Sequence, residues 1–128
     1  MIQITIQVAH DAPIYRQIVR QIRESTAVGG LKSGDRLPSH RDLAKELAVA
    51  PLTVKKAYDE LERLGLVETR RGRGTFVVAR LPERNPQEQR DEMKATARLL
   101  LSQAMLAALT LDDVLEVLSE VEREIRGS

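Results

Sequence analysis

The residues most able to do chemistry in this chain are cations. Arg70-Arg71-Gly72-Arg73-Gly74 sets three arginines and two glycines in five positions with no acidic residue among them. A guanidinium is always charged and offers a fork of donors that suits phosphate oxygens, and glycine lets a backbone approach a duplex with no Cβ in the way. Arg71, Gly72 and Arg73 therefore read as nucleic-acid contacts, against the plainer reading of a solvated turn. Other chemistries fall to inventory or context. The chain has no cysteine, which removes disulfides, thiolate zinc sites and cysteine nucleophiles. His10 beside Asp11, with His40 elsewhere, makes at most an incomplete metal site, so neither metal nor cofactor is expected. No two carboxylates stand out as a buried acid and base. The glycine-rich run lies inside a hairpin instead of opening a helix, where nucleotide phosphates are cradled. We therefore do not expect an enzyme.

The charge is unevenly distributed. Residues 1–80 carry 14 Lys and Arg against 9 Asp and Glu, whereas residues 81–128 carry 6 against 10, so a net charge of +1 conceals +5 followed by −4. Such asymmetry fits a first part that meets a polyanion and a second part with another task, although ordinary surface charge can also fluctuate this way. At 128 residues, 42% of them hydrophobic and 30% charged, the chain has room for one ordinary domain or a small domain with an appendage. Its core must be aliphatic, because Tyr15, Tyr58 and Phe76 are the only aromatics. Nothing in the N-terminal run resembles a secretory leader or membrane segment, so a cytoplasmic protein with no membrane partner is expected.

Positioning these cations requires a particular series of elements. Ile2, Ile4, Ile6 and Val8 alternate with polar residues, which predicts a strand over residues 1–8. From Pro13, the apolar residues Ile14, Ile18 and Ile22 recur at helical spacing until Gly29-Gly30 stops them. Lys32 to Asp35 is turn chemistry. Ser39, with Asp42 three residues on, caps a second helix that runs to Leu47. After Ala48-Val49-Ala50 a third helix starts with Pro51 in its first turn, carries Val54, Tyr58, Leu61 and Leu64 on one face, and ends at Gly65. Residues 66–69 and 75–78 then form two β segments around the basic tip.

Residues 81–86, with two prolines, read as a linker. Beyond them Met93, Ala97, Leu100, Leu101, Ala104, Met105 and Ala108 make an apolar stripe on a long helix. Thr110 with Asp113 repeats the capping pattern, and Leu111, Leu115, Leu118, Val121 and Ile125 line a final helix. A helical hairpin of this size cannot hide both stripes by itself, so it needs the first domain or a second copy.

The order helix, helix, tight turn, helix, basic hairpin is that of a winged helix-turn-helix domain, in which the third helix enters the major groove and the wing runs along the neighbouring backbone. The expected fold class is mainly α with small β. Residues 1–80 would form the winged helix-turn-helix domain, 81–86 the linker and 87–128 a two-helix dimerisation tail. Three motifs, Leu37-Pro38-Ser39-His40-Arg41-Asp42-Leu43-Ala44-Lys45-Glu46-Leu47, Thr53-Val54-Lys55-Lys56-Ala57-Tyr58 and Leu61 to Val67, together with Arg71-Gly72-Arg73-Gly74-Thr75-Phe76-Val77, resemble the GntR family of regulators. Pro13-Ile14-Tyr15 and the short tail are most similar to its YtrA-like subfamily.

That resemblance implies a double-stranded DNA operator as partner, with Arg41, Thr53, Lys55, Arg71 and Gly72 at the family's contact positions. Leu52, Lys56 and Arg73 are weaker candidates. Ala50 and Leu52 stand where relatives commonly carry polar residues, and His40 where an apolar residue is more usual. The resemblance further implies a homodimer held by the tail, through Met93, Ala97, Leu100, Leu101, Ala104, Leu115, Leu118 and Val121. A transporter-operon setting is likewise what the resemblance implies. A homodimer in turn calls for an inverted-repeat operator, with repression by exclusion of polymerase, and the architecture offers a place between heads and tail for a small-molecule effector of unassigned identity as a further partner. The rival from another class is a winged helix that docks proteins and never touches DNA.

Overall fold

In the computed structural model, residues 3–8, 12–78 and 85–127 are described. By its contacts the chain divides into two compact units, Met1–Pro82 and Glu83–Ser128. The expected linker at 81–86 and the His10-Asp11 pair lie largely or wholly outside the described residues.

The first unit holds three helices and a small sheet. α1 (Ile14–Ala27) begins after Pro13 and turns Ile18 and Ile22 fully inward. α2 (His40–Leu47) starts at Ser39, whose Oγ accepts the Asp42 N–H at 3.0 Å, which satisfies one of the donors that a helix start leaves unpaired. α3 (Pro51–Arg63) has Pro51 in its first turn and no side-chain cap at Ala50. Its apolar residues Val54, Ala57, Tyr58 and Leu61 are all buried, as their helical spacing requires. Gly65 then takes φ +78, and Leu66 N–H returns to the Leu61 carbonyl at 3.0 Å, so α3 ends by the left-handed glycine route expected of it.

The sheet is antiparallel with order β1 (Arg36–Leu37), β3 (Gly74–Val77), β2 (Val67–Arg70). The expected hairpin is present, but it carries a third strand from Arg36–Leu37, directly after the expected turn at Lys32 to Asp35, where no strand was expected. Two residues suffice because Leu37 is a core residue, only 2% exposed, that pairs with Thr75.

The strand expected at residues 1–8 is not formed among its described residues. Their backbone finds side-chain amides instead of a neighbouring strand. Thr5 N–H donates to Gln21 Oε1 at 2.9 Å and Thr5 O accepts from Gln21 Nε2 at 2.7 Å. Gln17 treats Gln7 in the same way, at 2.9 and 3.0 Å. The alternation did locate the inward side chains, since Ile4 and Ile6 pack on the core. What it could not show was that α1 glutamines would take the place of a ladder partner.

The second unit is a helical hairpin, α4 (Pro86–Leu106) and α5 (Leu111–Arg126). Asn85 caps α4, accepting the Gln87 N–H at 2.9 Å. Thr110 and Asp113 form a full capping box, with Thr110 N–H donating to Asp113 Oδ2 at 2.7 Å and Asp113 N–H to Thr110 Oγ1 at 3.3 Å. Of the described residues in this unit, only Ala104 and Val114 are buried. Val114 was not part of the expected stripe. Leu99 and Leu106 also lie off that stripe, yet they are 73% and 91% exposed, so the second half of α4 is apolar on more than one side. No helix among the described residues is long and apolar enough to cross a membrane.

Candidate nucleic-acid interface

α2 and α3 are locked together before any ligand arrives. The turn between them places Ala48 in the left-handed region at φ 57, ψ 45, and Val49 N–H returns to the Ala44 carbonyl at 3.0 Å. A side chain there costs about 1 kcal/mol relative to ordinary backbone, and the short connection to Pro51 leaves little alternative. The Tyr58 hydroxyl donates to the Pro38 carbonyl at 2.7 Å and so ties α3 to the segment entering α2. Burial, and secondarily the Glu46 carboxylate, pushes this phenol well above its ordinary pKa. Tyr58 therefore stays neutral, as a core residue with a satisfied polar tip.

On this frame the outer surface of α3 carries Leu52, Lys55 and Lys56. Leu52 is 77% exposed in the first turn, and Thr53 beside it is half-buried. The two lysines are engaged within the head. Lys55 Nζ lies 3.0 Å from Asp59 Oδ2, one helical turn on, while Lys56 Nζ sits 4.1 Å from the centre of the Tyr15 ring. Tyr15 is also approached by Arg16, 5.5 Å from the ring centre, so cations of two helices lie against this ring.

The wing cations are held differently. Arg73 N–H closes a turn onto the Arg70 carbonyl at 2.9 Å, with Gly72 at φ +76, a value that glycine adopts at little cost and other residues seldom do. This exposes Arg71 and Arg73 at the tip. Neither they nor Arg41 on α2 is ion-paired to a carboxylate among the described residues. Arg70 is more restrained, stacked 4.9 Å from the centre of Phe76 and 3.9 Å from Glu68.

The structure brings some of the sequence candidates together. Arg71, Gly72 and Arg73 line one depression of about 440 Å³ with Ser39 and His40 at the start of α2. His40, whose type departed from the family pattern, thus faces the wing. Thr53, Lys55, Leu52 and Lys56 occupy α3 and do not line that depression. Arg36 does, and the sequence reading passed over it. Its available signal was a cation directly before the buried Leu37, in a segment whose turn residues drew attention elsewhere.

Comparison with known proteins places this geometry. Residues 14–77 match the model of the bacterial regulatory proteins of the gntR family. The chain is 36% identical over 124 residues to the HTH-type transcriptional repressor YtrA of Bacillus subtilis, an alignment covering 97% of this chain and 95% of that protein. A transcriptional antiterminator from Listeria monocytogenes has a similar crystal structure, with a TM-score of 0.88 at 28% identity, over 99% of this chain and 95% of that one. AraR(DBD) in complex with operator ORX1 is similar over 59% of this chain and 95% of that chain, with a TM-score of 0.53 at 25% identity. Motifs, fold and a relative matched along nearly its whole length agree: the chain is a transcription regulator with a winged-helix DNA-binding domain, and it belongs to the GntR family.

Proposed function

We propose that this regulator is a repressor that binds an inverted-repeat operator as a homodimer, one head on each half-site. The observation that carries the reading is the set of exposed arginines at Arg41, Arg71 and Arg73, none paired to a described carboxylate. Exposed guanidiniums without acidic partners raise a positive potential that a polyanion can neutralise. In this reading Arg71, Gly72 and Arg73 follow the phosphate backbone and Arg41 fixes α2 against it. Thr53, Lys55 and Leu52 meet base edges in the major groove, where Leu52 can touch a thymine methyl. Lys55 must exchange Asp59 for DNA, an exchange between charged partners of similar type. Lys56, held over Tyr15, ranks last among the contacts.

The tail supplies the second half of the proposal. Met93 is 68%, Leu115 50%, Leu118 48% and Val121 39% exposed. Met93, Ala97, Leu100, Leu101, Leu115, Leu118 and Val121 form the surface we assign to pairing with a second chain, whereas Ala104, expected in that surface, is only 6% exposed and belongs to the inside of the hairpin. Such pairing sets two recognition helices about one DNA turn, roughly 34–36 Å, apart. Repression would follow by excluding polymerase, and a small effector would act by changing the spacing of the heads. The relative named a repressor supports the sign of regulation, and operator-bound AraR supports the docking mode. The transport-operon setting rests on the subfamily resemblance.

Selection of genomic fragments by the purified chain tests the proposal. Recovered sites should share an inverted repeat with half-sites one helical turn apart, adjoining genes of a transport system. Recovery of fragments with no common symmetric sequence would contradict the dimeric operator reading.

A further inference from the structure

The wing sheet has an outer face, and its register says what lies on it. Arg36 is opposite Phe76 on β3, and Glu68 is opposite the same residue on β2; directly paired residues share a face of the sheet. Arg70 pairs with Gly74 and stands on that face too. The two arginines cross it diagonally, Arg70 over Phe76 and Arg36 over Gly74. A Cβ on Gly74 would lie 2.9 Å from Arg36 Nε and 3.3 Å from Nη2, so the guanidinium rests in the notch left by the missing side chain.

The two arginines differ in what they have left to give. Glu68 lies 3.9 Å from Arg70, whereas Arg36 has no ion-pair partner among the described residues. Arg36 also lines the depression shared by His40, Arg71 and Arg73, to which no described carboxylate contributes. A guanidinium seated in this way has already lost much of its rotamer freedom, so little more is forfeited when it binds.

The geometry points to Arg36 as a phosphate contact of the DNA backbone, an anchor at the root of the wing that is separate from the recognition helix. The inference rests on the DNA-binding reading above and adds to it a residue outside both helix-turn-helix and wing tip. Its ligand is a phosphate oxygen of duplex DNA, taken by the fork of the guanidinium. The contact carries no base information, so its loss must weaken all sequences alike.

The test uses the full chain, a short mixed-sequence duplex and a range of salt concentrations. Arg36→Met keeps an unbranched stem over Gly74 and removes the charge, and Arg36→Gln is a second neutral variant with different packing. Both should weaken binding roughly tenfold at low salt and make the slope of log affinity against log salt shallower by about one. Arg36→Lys should keep the slope but recover only part of the affinity, because an ammonium lacks the fork. If both neutral variants keep the wild-type slope while Arg71→Ala loses about one contact, Arg36 is no backbone contact and the wider reading stands. If wild type itself binds the duplex without salt dependence, the DNA-binding reading falls and this inference falls with it.

Discussion

The two units solve the problem of apolar surface in opposite ways. In the first, Ile18, Val54, Ala57 and Leu61 are all 0% exposed, and aliphatic side chains from three helices and the sheet form one core. In the second, α4 and α5 bury only Ala104 and Val114 among their described residues while Leu99, Met105 and Leu106 remain 72% or more exposed. Burial of a leucine-sized side chain stabilises by about 1.5–3 kcal/mol, and the first unit collects many such side chains in one core. The second leaves apolar surface exposed, which the proposed dimer would cover. The basic charge sits with the well-buried unit and the acidic charge with the exposed one, which fits the proposed head that meets DNA and tail that meets protein.

That contrast can be broken from either side. The largest effect is expected in the head, where Leu61→Ala should destabilise by about 2–5 kcal/mol through the cavity it leaves. Thermal unfolding should show it, and a loss below about 1 kcal/mol would mean that the core is not closed as described. In the tail, Leu118→Asp should leave the head's unfolding midpoint in place and weaken self-association by roughly 3 kcal/mol, since an unpaired charge would be buried at the contact. Sedimentation that finds an unchanged dimer would remove Leu118 from the interface. Within the head, Thr53→Ala should cost about 1–3 kcal/mol on the selected operator and little on random DNA, the pattern of a base contact. An equal loss on both would reassign Thr53 to the backbone.

The smallest expected effect concerns the start of α5. Asp113 accepts both the backbone N–H and the hydroxyl of Thr110. First the backbone bond and then the side-chain bond hold its carboxyl below its ordinary value of 3.8. A depressed folded-state pKa contributes stability above the unfolded value and loses it as pH falls through the folded one. The difference in tail helicity between wild type and Asp113→Asn should therefore be constant near neutral pH and shrink as pH drops below about 4. A difference independent of pH would dissociate the carboxylate from the cap.

The head was more legible in the sequence than the tail, for physical reasons. α1, α2 and α3 carry strong 3.6-residue patterns with serine, proline and glycine at their ends, and buried Val54, Tyr58 and Leu61 follow from that pattern alone. β1 was not legible. Two residues are too few to set a period, and Arg36-Leu37 becomes a strand only because β3 is there to pair with it. Residues 3–8 erred in the other direction, with a clear alternation but a backbone that pairs with Gln17 and Gln21 side chains. In α4 a stripe through Met93, Ala97 and Leu100 drew attention from Leu99 and Leu106, whose exposure makes the apolar surface wider than one face. At the interface, residue type identified the cations but not their engagement. Lys55 was expected among the main contacts and Lys56 among the weaker ones, but residue type could not show Asp59 and Tyr15 beside them.

Titration of a mixed-sequence duplex with the full chain at several salt concentrations tests most directly whether the arginine-bearing head binds DNA. The expected result is affinity that falls linearly on logarithmic axes, with a slope reflecting several phosphate contacts and made shallower by about one in Arg71→Ala. Binding that is absent at low salt, or indifferent to salt, would contradict the account and leave the winged helix as a docking module for proteins.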